Sequence, residues 1–244
     1  MRLIQLSDCH LFADKHAVGY ASVNPYESLK QVLKLSASLR PDLVVVTGDI
    51  SGDNSEQSYR HFLALVQAHL STTEVSLVPG NHDNNEFFIN VVGEYLLHSA
   101  FPIEIGGWEV HGFDTRYKTT LGKVKDVQLE QVKANVLRSP DKHHMVALHH
   151  HPVAANSWMD THALYNREGL IDFVKKAAQV KLLIHGHVHF PLKRTIDKKP
   201  VLGVPSTCWQ WKMTKEFNVS TEKPGLRIID LHNDGSWTTQ IRRL

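Results

Sequence analysis

Five short apolar runs, each ending in a polar cluster, set the rhythm of the chain. Residues 3–6 (LIQL) lead to Asp8 and His10, and residues 42–46 (DLVVV) lead to Gly48 and Asp49. Residues 75–78 (VSLV) lead to Gly80, Asn81, His82 and Asp83. Residues 145–148 (MVAL) meet three consecutive histidines, and residues 180–184 (VKLLI) meet His185, Gly186, His187, Val188 and His189. Runs this short and this rich in β-branched residues predict buried strands. Helical spacing fills the intervals. Asn24, Pro25 and Glu27 offer a cap, a proline at the first helical position and a capping-box acid ahead of Leu29, Val32, Leu33 and Leu39. Ser55 ahead of Tyr59, Phe62, Leu63 and Val66 predicts a second helix. Asp126 ahead of Leu129, Val132 and Val136 predicts a third, and Asn166 ahead of Leu170, Phe173, Val174 and Ala177 a fourth. Alternating strands and helices imply an α/β architecture.

Beyond Pro191 the pattern turns β-rich. RTID, PVLGVPS, GLRIIDLH and SWTTQIRRL read as short strands, the last two joined by a hairpin signal at Asn233, Asp234 and Gly235. Residues 104–114 (EIGGWEVHGFD) suggest another hairpin. These pieces are expected to form or extend a second sheet packed on the first. Without a repeat or a linker, residues 1–244 read as a single domain.

Composition narrows the function classes. The 42% hydrophobic content of the 244 residues suits one sizeable core. With 27 basic against 25 acidic side chains, no basic stripe is available for nucleic acid. An anionic ligand must be held locally. The strand at Leu3 leaves no room before it for a signal peptide, and no run approaches the roughly 20 apolar residues of a membrane span. Two cysteines, Cys9 and Cys208, make no disulfide framework, so a cytoplasmic, non-membrane protein is expected. The 17 histidines are the unusual number, and only their spacing can distinguish a metal site from surface scatter.

In open α/β sheets, ligands gather outside the carboxyl ends of strands. The five clusters occupy such ends and offer Asp8, His10, Asp49, Asn81, His82, one of the three triplet histidines, His187 and His189. This oxygen and nitrogen set suits Mn, Fe or Zn rather than a calcium cage. It exceeds what one tetrahedral ion uses, so two ions sharing ligands are expected. Asp8 and His10, at i and i+2 of an extended segment, project to one side while Cys9 points away. His187 and His189 converge in the same way. Gly48, Gly80 and Gly186 precede candidate ligands where the backbone must turn or approach closely. Asp49, with two oxygens, is the natural bridge. Two ions roughly 3.5–4 Å apart lower the pKa of a bridging water and clamp a phosphoryl group. The chemistry is phosphoester hydrolysis.

The pattern D-x-H, G-D, G-N-H-D, a histidine after the fourth strand and G-H-x-H resembles the calcineurin-like metallophosphoesterase superfamily. HHHP at residues 149–152, SWMDTH at 157–162 and VPSTCWQ at 204–210 make the chain similar, over its length, to the bacterial class III 3′,5′-cyclic AMP phosphodiesterases. That resemblance implies a four-layer α/β/β/α sandwich of two packed mixed sheets flanked by helices. It implies hydrolysis of cyclic AMP to 5′-AMP by a metal-bridging hydroxide, with two divalent or mixed-valence ions (Fe, Mn or Zn). Asp8, His10, Asp49 and His189 would hold one ion, and Asp49, Asn81, His149 and His187 the other. His82 would touch the phosphate and act as general acid, with Asp83 or Asp53 to orient it. The implied substrate contacts are His10, Asp49, Asn81, His82, His149 and His189, and the implied partner is a small cyclic nucleotide. The sequence gives no oligomeric state.

The related readings are another phosphodiester, such as a glycerophosphodiester or a nucleotide pyrophosphate, and a non-catalytic scaffold of the same fold. The protein-phosphatase branch is disfavoured because ISGD follows Gly48-Asp49 without that branch's arginine. Within the triplet, His149 directly follows the strand and so falls on the crevice, whereas His150 faces away and His151 leaves towards Pro152. Cys9 and Cys208 read as buried and inert. Trp158, Phe190 and Trp209 read as core rather than base contacts, and His61, His69, His143 and His144 as solvated.

Overall fold

Alternation along β1 (Arg2–Leu6) decides what each of its faces buries. Ile4 and Leu6 pack under helices α1 (Pro25–Ser38) and α2 (Glu56–Leu70), whereas Leu3 faces a second sheet. The neighbouring β2 (Leu43–Val46) divides in the same way, Val44 and Val46 towards the helices, Leu43 and Val45 inwards. The computed structural model describes residues 1–244. Its remaining strands are β3 (Glu74–Leu77), β4 (Ile103–Ile105), β5 (Trp108–Gly112), β6 (His143–Leu148), β7 (Val180–His185), β8 (Lys193–Ile196), β9 (Lys199–Gly203), β10 (Gln210–Trp211), β11 (Val219–Ser220), β12 (Gly225–Leu231) and β13 (Trp237–Arg243). Three further helices are α3 (Glu86–Val92), α4 (Asp126–Arg138) and α5 (Arg167–Lys176).

One sheet has the order β13-β12-β1-β2-β3 and the other β4-β5-β6-β7-β9-β8; both are mixed. The inter-sheet core joins Leu3, Val45 and Ile229 to Trp108, Met145 and Ile184. The outer face of the second sheet, through Val146, Leu148 and Leu183, packs on α4 and α5. The result is the expected four-layer α/β/β/α sandwich. Two polar ties cross the apolar middle: Gln5 Nε2 donates to the His185 carbonyl (2.9 Å), and Arg227 Nε donates to that of Gly203 (3.0 Å).

The α1 cap forms as predicted on one side, Asn24 accepting from the Glu27 N–H at 2.9 Å, while the Glu27 carboxylate turns to Lys30. Several expectations need correction. β12 and β13 join the first sheet instead of the second, β12 pairing antiparallel with β1 and β13 antiparallel with β12; only β4, β5, β8 and β9 extend the second. Asn166 does not cap α5 with its side chain, because its amide pairs with both backbone groups of Val124. His61 and His144 are buried, bonded to the Phe12 carbonyl and to His111 respectively, rather than solvated.

Candidate metal centre

The loops after β1, β2, β3, β6 and β7 meet at one end of the sandwich, and their backbone is strained there. Asp8, His10, Asp49, His187 and His189 all have left-handed φ, between 45° and 69°. Non-glycine residues enter that region at a cost, and such outliers cluster at functional sites. The convergence of Asp8 with His10, and of His187 with His189, therefore comes from tight turns rather than from the extended pleat expected from their spacing. Asp8 N–H donates to the Gly48 carbonyl (2.9 Å) and His10 N–H to that of Asp49 (3.0 Å), which fixes the two loops together. Gly80 lies so close to Asp49 that a Cβ there would run into the carboxylate.

All seven ligand candidates come together in two sets that share one atom. On one side, His10 Nε2 stands 3.7 Å from Asp49 Oδ2 and 3.1 Å from His189 Nε2, which is 3.4 Å from Asp8 Oδ1. On the other, His149 Nε2 is 3.3 Å from the same Asp49 Oδ2, 3.2 Å from Asn81 Oδ1 and 3.2 Å from His187 Nδ1. The other Asp49 oxygen accepts the His82 N–H at 2.9 Å. Asp8, His10, Asp49, His149, His187 and His189 are all nearly inaccessible to solvent.

These donors suit cations. His149 Nδ1–H donates to the Thr47 carbonyl (2.6 Å), His187 Nε2–H to that of His162 (2.9 Å) and His189 Nδ1–H to that of Trp209 (2.8 Å). Each bond fixes a tautomer and turns the other ring nitrogen into the crevice as a lone pair. His149 Nε2 and His187 Nδ1 thus face each other as acceptors, an arrangement that positive charge between them stabilises. Without a cation, the negative surroundings draw a proton to His149 instead. Burial pushes the Asp49 carboxyl up, but His149, His82 and His10 outweigh it and hold the group well below the usual carboxylate range. Burial alone would lower His149, yet the Asp49 charge and hydrogen bond, with Asp8 and the Thr47 carbonyl, lift it to about 9. Burial takes His10 down to about 3, against the pull of Asp49, and lowers His187 strongly.

His82 is half-buried, its ring edge-on to His10 with centroids 4.8 Å apart. Neither suggested aspartate orients it. Asp83 is buried and accepts from the backbone N–H of Gly80, Ile50 and Ser51 and from the Tyr59 hydroxyl, so it braces two loops; burial and the nearby Asp49 push it up to about 6. Asp53 accepts from Ala13 and Ser55. Within the histidine triplet, His149 carries the crevice contacts. His150 does not face away: its ring packs against those of His149 and His187, with Nδ1 bonded to Thr115. His151 is buried near Asp160. Burial keeps the thiols of Cys9 and Cys208 protonated.

The two sets open onto a cleft of about 640 Å³. One wall is aromatic: Tyr20, Trp158, Trp209, Trp211 and Phe217, with Trp211 stacked on His189 and Trp209 on His10. Tyr20, Trp211 and Phe217 escaped the sequence reading because nothing in their spacing marks them. Phe190, weighed there beside Trp158 and Trp209, does not line the cleft.

A family model described as calcineurin-like phosphoesterase matches residues 1–191. The 3′,5′-cyclic adenosine monophosphate phosphodiesterase CpdA of Escherichia coli (strain K12) is 34% identical over 253 residues, covering 100% of this chain and 90% of that protein. A 3′,5′-cyclic-nucleotide phosphodiesterase of Nostoc sp. (strain PCC 7120) is 29% identical, covering 99% of this chain and 92% of that one. Among solved structures, a dimetal phosphatase from Danio rerio aligns with a TM-score of 0.66 at 13% identity, covering 99% of this chain and 96% of that one. At that identity the likeness concerns the fold.

Proposed function

The chain belongs to the calcineurin-like phosphoesterase family, and from that premise we propose that it is a dinuclear phosphodiesterase that hydrolyses 3′,5′-cyclic AMP to 5′-AMP. The observation that carries this reading is the pair of donor sets sharing Asp49 Oδ2 at the floor of one cleft. Asp8, His10, Asp49 and His189 would hold one ion, and Asp49, Asn81, His149 and His187 the other; Fe, Mn and Zn all accept such ligands. When bound, the two ions would supply a water of lowered pKa and neutralise charge on the phosphoryl group.

The chain's own residues do the rest. Asp49 turns one oxygen to each task, Oδ2 to the shared position and Oδ1 to the His82 N–H, so the acid–base candidate is held in register with the bridge. From the rim His82 donates to the phosphate and returns a proton to the departing ribose 3′ oxygen, a role worth about 10²–10⁴ in rate for general acids. His10, Asp49, Asn81, His149 and His189 surround the phosphate position. The half-exposed Tyr20 and Phe217, with Trp158, offer flat faces for the purine, and the cleft volume suits a mononucleotide. Full-length similarity to relatives named as cyclic AMP phosphodiesterases favours this substrate over a glycerophosphodiester, a nucleotide pyrophosphate or a scaffold role.

The test offers the purified, Mn-, Fe- or Zn-loaded protein cyclic AMP, cyclic GMP, a glycerophosphodiester, a nucleotide diphosphate sugar and an aryl phosphodiester. Cyclic AMP should give 5′-AMP, and Phe217→Ala should raise its KM more than that of the aryl ester. Aryl ester turnover without cyclic AMP cleavage removes the substrate but keeps the chemistry. Metal binding without any turnover returns the scaffold reading.

A further inference from the structure

A second group of metal-binding side chains lies outside the crevice, on the outer face of the second sheet. In β5, Trp108 and Val110 point into the inter-sheet core, so Glu109 and His111 point the other way, towards α4. Glu109 stands in register with His144 on β6. His144 precedes His149 by five residues of near-extended chain, roughly 16 Å, so this cluster is separate from the crevice. His111 and His144 are fully buried and Glu109 is 5% exposed.

The three donor atoms form a small triangle. His111 Nε2 and His144 Nδ1 are 2.9 Å apart, and Glu109 Oε2 lies 3.7 Å from the His144 nitrogen and 3.9 Å from the His111 nitrogen. A tetrahedral ion with bonds of 2.0–2.1 Å separates its donors by about 3.3 Å, so shifts of a few tenths of an ångström would seat one. His144 Nε2–H already donates to the Ser139 carbonyl at the end of α4 (3.1 Å), leaving Nδ1 as a lone pair aimed at the triangle. A hydrogen bond from His111 Nε2–H to that lone pair completes the His144 ring, but His111 Nδ1 stays buried without a partner and Glu109 Oε2 buried with no donor. An unpaired buried carboxylate oxygen is costly, and a cation coordinated by all three atoms removes the cost.

We propose that Glu109, His111 and His144 form a separate site for a zinc-like divalent ion. The ion ties β5 to β6 beneath the end of α4, with one remaining position for water. Two imidazoles and one carboxylate favour Zn²⁺ or Co²⁺ over Mg²⁺ or Ca²⁺. The burial of all three residues makes the site structural rather than catalytic. It does not depend on the substrate assigned to the crevice.

Metal-free full-length protein, dialysed against Zn²⁺ or Co²⁺, should bind one more equivalent per chain than Glu109→Gln or the triple variant Glu109→Gln/His111→Leu/His144→Leu. The Co²⁺ form should lose the visible absorption of one four-coordinate ion in those variants, while phosphodiester turnover is retained. The single Glu109→Gln variant keeps the shape of the site and serves if the triple variant does not fold. Equal metal content and equal Co²⁺ spectra in wild type and Glu109→Gln would overturn the proposal.

Discussion

Asn81 and His82 are neighbours in one short turn, yet they have separable tasks. Asn81 Oδ1 faces the His149 nitrogen, whereas only the backbone of His82 touches Asp49. Asn81→Ala is expected to lose one metal equivalent, and His82→Ala to keep both while slowing turnover by about 10²–10⁴. Metal analysis beside kcat checks this, and metal loss in His82→Ala would contradict the division of roles. In the triplet, His149→Ala should cost the most metal, because only that ring reaches both Asp49 and Asn81. The ligand candidates were legible in the sequence because each follows a recognisable strand. The orientation of His82 was not, since the carboxylate nearest in sequence, Asp83, is taken up by backbone N–H groups of two other loops. Nor were Tyr20 and Phe217, which reach the cleft from loops whose paths depend on tertiary packing.

At the scale of elements, the ligand loops replace pleated strand with left-handed turns, and glycines make the contacts between them possible. Gly80 sits against the Asp49 carboxylate and backbone, so a methyl group there displaces the proposed bridging ligand. Gly80→Ala should lower stability by about 1–3 kcal/mol through overpacking and also lose metal; an unchanged Tm with full metal content would show that the loop yields freely. The strands and most helix starts were readable from periodicity, because alternation and capping are local signals. The membership of β12 and β13 in the first sheet was not readable. A hairpin pattern names the pairing within itself, as at Asn233 to Gly235, but not the edge it joins, which here follows from the pairing of Ile229 with Leu3. Asn166 misled for a similar reason: a good cap residue found better partners on Val124.

Across the whole molecule, several buried histidines are held as neutral groups, with His149 the exception. Burial lowers His111 and His185 to about 3 and His151 to about 4. Their folded values lie below the ordinary value near 6.5, so the stability they allow is complete above about pH 6.5 and is lost as pH falls towards those values. Asp83, lifted to about 6, works the other way, because it gains its proton more readily in the folded state. With these three histidines, and His10, His150 and His187 lowered in the same way, set against Asp83, the metal-free protein should lose Tm steeply between pH 6.5 and 5, each histidine contributing about 1.4 kcal/mol per pH unit well inside that window. Thermal melts in a chelator across that range test this, and a flat Tm would mean that the rings protonate without unfolding. The same burial explains why most of the 17 histidines in the sequence resolve into a crevice, a second cluster and a supporting interior, while His16, His98 and His232 lie exposed at the surface.

Everything proposed for the crevice turns on Asp49 Oδ2 as the shared corner of two metal positions. Anomalous diffraction at the manganese edge from crystals grown with Mn²⁺ tests it most directly. Two peaks are expected roughly 3.5–4 Å apart on either side of that oxygen, one near Asp8, His10 and His189 and the other near Asn81, His149 and His187. A single peak, or two peaks that do not share Asp49, would contradict it.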